Sequence, residues 1–315
     1  MRKTAIKTFT ETSFYNVMMF SGFWAVQIFV TKLGFNSGAQ VLTFQTLSIL
    51  TALLILAIII LPKYGVEFGN LFRHQKPLYW KLFFANGIQS VLGTCLSIIG
   101  ISLTEAINAG FLVKLATVTT ILFAWLILKE RLSPLKILTV ITMLSGAYLL
   151  TTRGQILLPR VGDLFILSAC VCWSLGDVLV RKYLKAQSVR ADIVTLQKPI
   201  AGLPVILVLV GISVWHPVIF GKLGLIIACC KAPLSSLPYA FGNGLCLAIT
   251  WIYLNRTLEV SSASYMTMMS MVTPVIVSLL AIFFLNETVI WIQIVGAGMI
   301  ILSGVVIYFS DISHE

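Results

Sequence analysis

The sequence predicts an all-α polytopic membrane protein: ten transmembrane helices in two inverted five-helix repeats. Three observations carry that expectation. The 315 residues are 58% hydrophobic and 10% charged, with a mean hydropathy of +0.99. That leaves too little polar surface to coat a chain folded in water, where about 25% charge is usual. Apolar runs recur at the length a bilayer requires, and the second half of the chain repeats the first.

A hydrocarbon core of about 30 Å takes a helix of about 20 residues. Apolar runs bounded by polar residues, Pro or Gly predict spans near 13–33, 38–61, 79–102, 104–128 and 134–152. Five more are predicted near 163–184, 192–214, 237–257, 261–285 and 289–309. Residues 1–12 and 311–315 are read as tails, 13–152 and 163–310 as the two repeats, and 153–162 as the linker. Two connections are long. Pro62 to Leu78 carries Lys63, Arg73, His74 and Lys76, while 215–236 holds the apolar stretch Leu223 to Cys230, too short to span and expected to lie at the interface or re-enter. The run Phe14 to Val30 lacks a small-x-small cleavage site and is expected to be a retained span.

The net charge of +11 does not signal nucleic acid, because the basic residues form short clusters between apolar runs. With the N-terminus inside, fifteen Lys and Arg fall on the inner side and five on the outer: Lys32, Arg153, Arg160, Lys222 and Lys231. Lys114 and Lys198 lie within spans. This bias predicts both termini in the cytoplasm of a multi-pass protein, with a prokaryotic inner membrane as the expected location. Cys95, Cys170, Cys172 and Cys246 sit in apolar runs, and Cys229-Cys230 has no partners at metal spacing, so packing is the expected role of the thiols.

The internal repeat is legible without gaps. A shift of 157 residues places Phe84-Ala85-Asn86-Gly87 on Phe241-Gly242-Asn243-Gly244, Ala106 on Ala263 and Glu130 on Glu287. Shorter shifts bring Phe23-Trp24 to Cys172-Trp173 and Thr43-Phe44-Gln45 to Thr195-Leu196-Gln197. An odd number of spans per copy turns the second copy over in the membrane, an architecture with its substrate site between the halves. Thr104-Glu105-Ala106 through Leu128-Lys129-Glu130-Arg131-Leu132 to Ser145-Gly146 resembles one EamA domain. Ser261-Ser262-Ala263 through Thr273-Pro274 to Leu285-Asn286-Glu287 and Ser303-Gly304 resembles a second. The chain is thus similar to members of the drug/metabolite transporter superfamily. The resemblance implies a central cavity lined mainly by helices 1, 3, 4, 6, 8 and 9, and secondary transport of a small metabolite. It implies no particular substrate.

Lys114 lies about ten residues into the fourth span, where an ammonium costs roughly 2.5–3.5 kcal/mol on insertion scales, so a polar cavity or a partner is expected. The outer end of the span is about 15 Å away, beyond the reach of a snorkelling lysine. Phosphate-translocating members of the superfamily carry a lysine in a similar place, but Tyr265 to Phe284 has no Lys or Arg. A single lysine suits a carboxylate better than a phosphate clamp. Asp177 is expected either to face Lys114, to relay a proton, or to pair with Arg181 one turn on. Lys198 is expected to snorkel towards the inner headgroups. Asn86, Asn243, Gln45 and Gln197 are read either as ties between helices or as substrate contacts. Trp24, Trp173, Trp251 and Tyr265 are candidates for an aromatic cavity wall. Glu130 and Glu287 are expected to stabilise the hairpins that follow helices 4 and 9, with Ser133-Pro134 opening helix 5.

An enzyme is the competing class. His74, His216 and His314 fall in connections or the tail, and no HExxH, GxSxG or paired intramembrane aspartates occur. The expected function is export of a small polar or amphipathic metabolite, amino-acid-like or another carboxylate, by alternating access. Sugar-phosphate or nucleotide-sugar antiport is the alternative; an intramembrane enzyme or lipid-shuttling accessory subunit ranks far below. No cofactor or metal is expected. The expected partners are a small-molecule substrate and the lipid bilayer, not nucleic acid, and a homodimer is left open. A topology reporter fused after Glu315 should give a cytoplasmic signal; a periplasmic one would overturn the orientation or the even number of spans.

Overall fold

The computed structural model describes residues 2–39, 41–104, 106–187, 189–215, 234–285 and 288–314. Among these residues all regular structure is helical. The first copy of the repeat contains α1 (Arg2–Asn36), α2 (Val41–His74), α3 (76–103), α4 (106–128) and α5 (Pro134–Thr152). The second contains α6 (Val161–Gln187), α7 (Ala191–Trp215), α8 (Leu237–Val260), α9 (263–285) and α10 (Trp291–His314). Nine described helical segments are long and apolar enough to cross a membrane. Side chains such as Leu54, Ile58, Leu138, Leu164, Phe283 and Leu302 stay largely exposed on their outer faces, as hydrocarbon contact requires. The Leu223–Cys230 stretch and the Cys229-Cys230 pair lie outside the described residues.

The repeat seen in sequence recurs in the backbone, residue for residue. Helix α3 ends at Leu103 and α8 at Val260, 157 positions on. Each is closed by an extended residue, Thr104 (φ −131°, ψ 170°) and Ser261 (φ −124°, ψ 171°). The next helices, 106–128 and 263–285, both tighten into a 3₁₀ turn midway, at Val113–Leu115 and Ser270–Val272. The contacts follow the same exchange. Helix α1 packs on α8 as α6 packs on α3, and α5 lies along α10.

Local chemistry explains the ends. Ser133 accepts a 3.2 Å hydrogen bond from the Lys136 N–H to open α5, with Pro134 at the first helical position, as its sequence predicts. Ser262 caps α9 from the Tyr265 N–H at 3.1 Å. Helices α4 and α5 end on residues in the left-handed region, Lys129 (φ 56°) and Arg153 (φ 55°). One expected connection differs. Helix α2 runs through Pro62 to His74, so the long 62–78 connection is helical almost throughout. Tyr64 and Phe68 pack against the core and Leu71 is buried within it, which rewards continuing the helix past the proline.

Close backbone approach holds the α5–α10 pair. A Cβ on Gly146 would meet the Gly296 carbonyl oxygen at 2.6 Å, and one on Gly296 would meet that of Gly146 at 2.5 Å. The same arrangement joins Gly100 of α3 to Gly162 of α6. Small residues let helices associate where apolar burial gives no net drive in lipid. Of the two Asn-Gly pairs, Gly244 lies against the Ser48 carbonyl, whereas Gly87 has open space around it. Gly146→Val should destabilise the protein by about 1–3 kcal/mol, because backbone on the facing helix has to move. A detergent thermal-unfolding scan checks it, with Gly87→Ala as a near-neutral control.

Candidate functional site

Helices α1, α2, α3, α4, α6, α8 and α9, with α5 and α10 on the larger side, enclose two chambers with a shared wall. One has a volume of about 270 Å³ and is lined by Trp24, Gln27, Gln45, Gln89, Trp173, Asp177 and Trp251, among others. The second, of about 620 Å³, is lined by Lys32, Lys114 and Arg153 together with Ser278, Thr288, Gln293 and apolar side chains. Trp24, Val113 and Trp173 line both chambers. The two tryptophans come from equivalent places in the two copies, so the partition is itself a repeat feature.

The chambers differ in charge. Asp177 is the charged side chain on the described wall of the smaller one, and the larger carries three cations. The Lys114 ammonium lies over the Trp24 ring, 5.0 Å from its centroid. That cation–π contact offsets part of the cost of removing the ammonium from water. Lys114 is in the 3₁₀ turn of α4, and the matching position of α9 is Met271, whose sulfur accepts a 3.3 Å hydrogen bond from Thr117. The Thr250 hydroxyl is buried at the wall of the smaller chamber with no hydrogen-bond partner among the described residues.

Asp177 takes neither partner expected for it. Its carboxylate accepts from the Gln89 side-chain amide, and the Gln89 carbonyl accepts from the Lys198 ammonium. Arg181 instead donates to the Leu258 and Glu259 carbonyls at 2.7 and 2.8 Å, stitching α6 to the end of α8. Lys198 does not snorkel. It is 0% exposed, because α7 is packed between α2, α3 and α8 and turns this face inward.

The other nominated residues divide. Gln45 and Trp251 line the smaller chamber, but Asn86, Asn243 and Tyr265 are buried and line neither. Asn243 donates to the Gln27 carbonyl at 3.2 Å and to Thr31, tying α8 to α1. Asn86 reaches α7, at 3.4 Å from the Val194 carbonyl and 3.5 Å from Gln197. These amides bind helix to helix. Gln89 and Lys198 are among the residues the sequence reading left out, as are Gln27 and Thr250 on the smaller chamber and Lys32, Arg153 and Gln293 on the larger. Gln89 was detectable as a polar residue in mid-run. The inward direction of Lys198 was not, because its distance from the helix end suits either fate.

Glu130 does not stabilise its own hairpin. Its carboxylate accepts from the Ala263 and Ser264 N–H groups at 3.0 and 3.2 Å and from the Ser264 hydroxyl at 2.5 Å. It caps the first turn of α9, on the other copy of the repeat. The left-handed Lys129 ends α4 just before Glu130, and the N–H groups at the start of α9 supply the donors. Glu287 lies outside the described residues. Glu130→Ala should destabilise the protein by about 0.5–2 kcal/mol, the usual worth of a lost helix cap. Thermal unfolding of the purified protein reads it out, and a Tm within error of wild type would refute the capping role.

Comparison with known proteins agrees with this architecture. The EamA-like transporter family matches residues 14–152 and 160–309, one copy in each half. "Uncharacterized transporter YyaM" of Bacillus subtilis (strain 168) is 30% identical over 105 residues, 31% of this chain and 34% of that protein. An "Uncharacterized transporter" of Methanothermobacter thermautotrophicus is 26% identical over 162 residues, 49% of this chain and 42% of that protein. The chain thus matches less than half the length of each of these relatives. A protein crystal structure, 16% identical, superposes with a TM-score of 0.70 over 95% of this chain and 96% of its own, which shows a common fold. With two family repeats spanning nearly all of it, and with helices long and apolar enough to cross a bilayer, this multi-pass membrane protein belongs to the EamA-like transporter family.

Proposed function

We propose that this protein is a secondary active exporter of amino-acid-like metabolites, working by alternating access between two inverted five-helix repeats. The observation that carries the reading is the opposite charge of the two chambers across the Trp24–Trp173 wall. A zwitterion meets a cation, Lys114, on one side of that wall and a carboxylate, Asp177, on the other. Tryptophan faces on both sides suit an amphipathic body. The Thr250 hydroxyl, without a hydrogen-bond partner among the described residues, adds a hydrogen-bonding group at the same wall.

The ten-span reading counts α3 as a crossing, since 76–103 is helical throughout and rises about 1.5 Å per residue. The common 157-residue offset of helix ends and 3₁₀ turns supports a repeat of five helices, and an odd number inverts the second copy. The basic bias of the inner connections supports a cell-membrane protein with both termini on the cytoplasmic side, an orientation in which Lys32, Arg153 and the larger chamber face outward.

Exchange of sugar phosphates or nucleotide sugars is the second reading. It is favoured by Lys32 and Arg153, which join Lys114 in one chamber and give the several donors a phosphate needs. Against it stands Asp177, which would repel a multiply charged anion entering the smaller chamber. Proteoliposome uptake with preloaded counter-substrate separates the two, strict exchange of phosphorylated sugars favouring the second.

Lys114→Ala should abolish transport while leaving expression and folding largely intact, since it removes an expensive charge. Lys114→Arg should retain little activity, because a planar fork does not replace a point charge. Neutralising Arg256, bound to Asp192 at 2.8 and 3.0 Å away from both chambers, should matter much less. Wild-type transport by Lys114→Ala, or a substrate without an anionic group, would overturn the assignment.

A further inference from the structure

Of the Asp177–Gln89–Lys198 chain, the proposed function uses only the Asp177 carboxylate. It begins at a sealed ammonium on α7, crosses one amide on α3 and ends at a carboxylate on the chamber wall of α6. Lys198 is 0% exposed and lines neither chamber, whereas Gln89 and Asp177 line the smaller one, so of the two charged ends Asp177 is the one that meets a solute. The amide fixes the polarity of the chain: its N–H end must face an acceptor and its carbonyl end a donor. Because α3 belongs to one copy of the repeat and α6 and α7 to the other, the Gln89–Asp177 bond also joins the halves.

Taking the smaller chamber as the substrate cavity, on which this inference rests, we propose that Asp177 binds a proton in exchange for the substrate ammonium, so that each substrate exported is coupled to a proton moving the other way. Gln89 and Lys198 position the carboxylate for that exchange. An ionised Asp177 balances the buried Lys198 charge through the amide. A proton or an ammonium group each supplies one positive charge to the same carboxylate, so the two compete for it. When substrate arrives, the Asp177 O–H bond breaks, the proton passes to chamber water as hydronium, and the ammonium takes its place. The tryptophan walls favour an organic cation.

The charged and titratable groups on the elements around α6 are otherwise engaged or distant from the carboxylate. On α4, Lys114 lines the other chamber and Glu130 caps α9. On α6 itself, Cys170 donates to the Leu112 carbonyl and Arg181 to the end of α8. Helix α3 carries exposed Lys76 and Lys81 at its start and buried Tyr79. On α8, Tyr253 lies under Arg256, which is paired with Asp192, and Glu259 is at the helix end. Tyr265 of α9 is buried away from both cavities. This leaves Lys198 as the charge linked to Asp177.

Two measurements on the full-length protein test the proposal. Infrared difference spectra taken while lowering pH should show the carbonyl stretch of a protonated carboxylic acid, absent in Asp177→Asn and displaced in midpoint by Gln89→Leu and Lys198→Met. The glutamine variant introduces no unpaired charge, so it reports on the relay if the lysine variant does not fold. The same band in Asp177→Asn overturns the proton site. Proteoliposomes enclosing a pH-sensitive dye and given an equimolar mixture of L-amino acids should move about one proton against each amino acid. The ratio of protons to amino acid should fall in Gln89→Leu. Transport by wild type without proton movement overturns the coupling. No transport of the mixture by wild type overturns the zwitterion reading and the exchange partner with it, while the infrared result still decides whether Asp177 is the proton site.

Discussion

Hydrocarbon offers no hydrogen bonds, and that absence governs this molecule more than any single contact. Every donor and acceptor placed at depth must find its partner inside the protein. Asn243 therefore reaches across to a carbonyl of α1, Arg181 to two carbonyls of α8, and Thr119 and Thr120 to Ser174. The same constraint explains why helices approach so closely at Gly146 and Gly296, since packing has to replace the drive that water would have supplied. The cavity is the place where the constraint is relaxed: there, polar atoms such as the Thr250 hydroxyl remain for a solute to meet.

Much of the fold was legible because the constraint leaves a mark in composition. A run long enough to cross a bilayer announces itself, and a gap-free repeat announces its partner. The helix boundaries from 103 to 134 and their counterparts fall at one offset for that reason. What was not legible was lateral direction. Periodicity is a weak guide in a helix that is apolar all round, so nothing in the sequence showed that Lys198 turns inward or that Asn86 and Asn243 face neighbouring helices instead of the cavity. Depth could be read; azimuth could not.

Glu130 illustrates the second limit. Its sequence position beside a Ser-Pro helix start makes a local role the simplest reading. The donors it finds are 133 and 134 residues away, because α4 and α9 bring their opposite ends together. A motif read along the chain identifies the type of interaction, an acidic side chain on a helix start, but not which helix start. In a repeat protein the ambiguity is sharper, since each copy offers the same local pattern and the fold is free to use the partner's.

The paired 3₁₀ turns at Val113–Leu115 and Ser270–Val272 keep their geometry across the two copies, yet one holds Lys114 and the other Met271. Duplication has preserved the scaffold and let the chemistry drift apart. On the alternating-access mechanism proposed above, such a carrier would have mechanical symmetry without electrical symmetry: its two halves would hinge by equivalent movements while a charged solute met a different potential from each side. Directionality in such a machine need not come from unequal motion at all. A single amino-acid difference at equivalent depths is enough to give the two faces of an otherwise balanced device unequal appetites for charge.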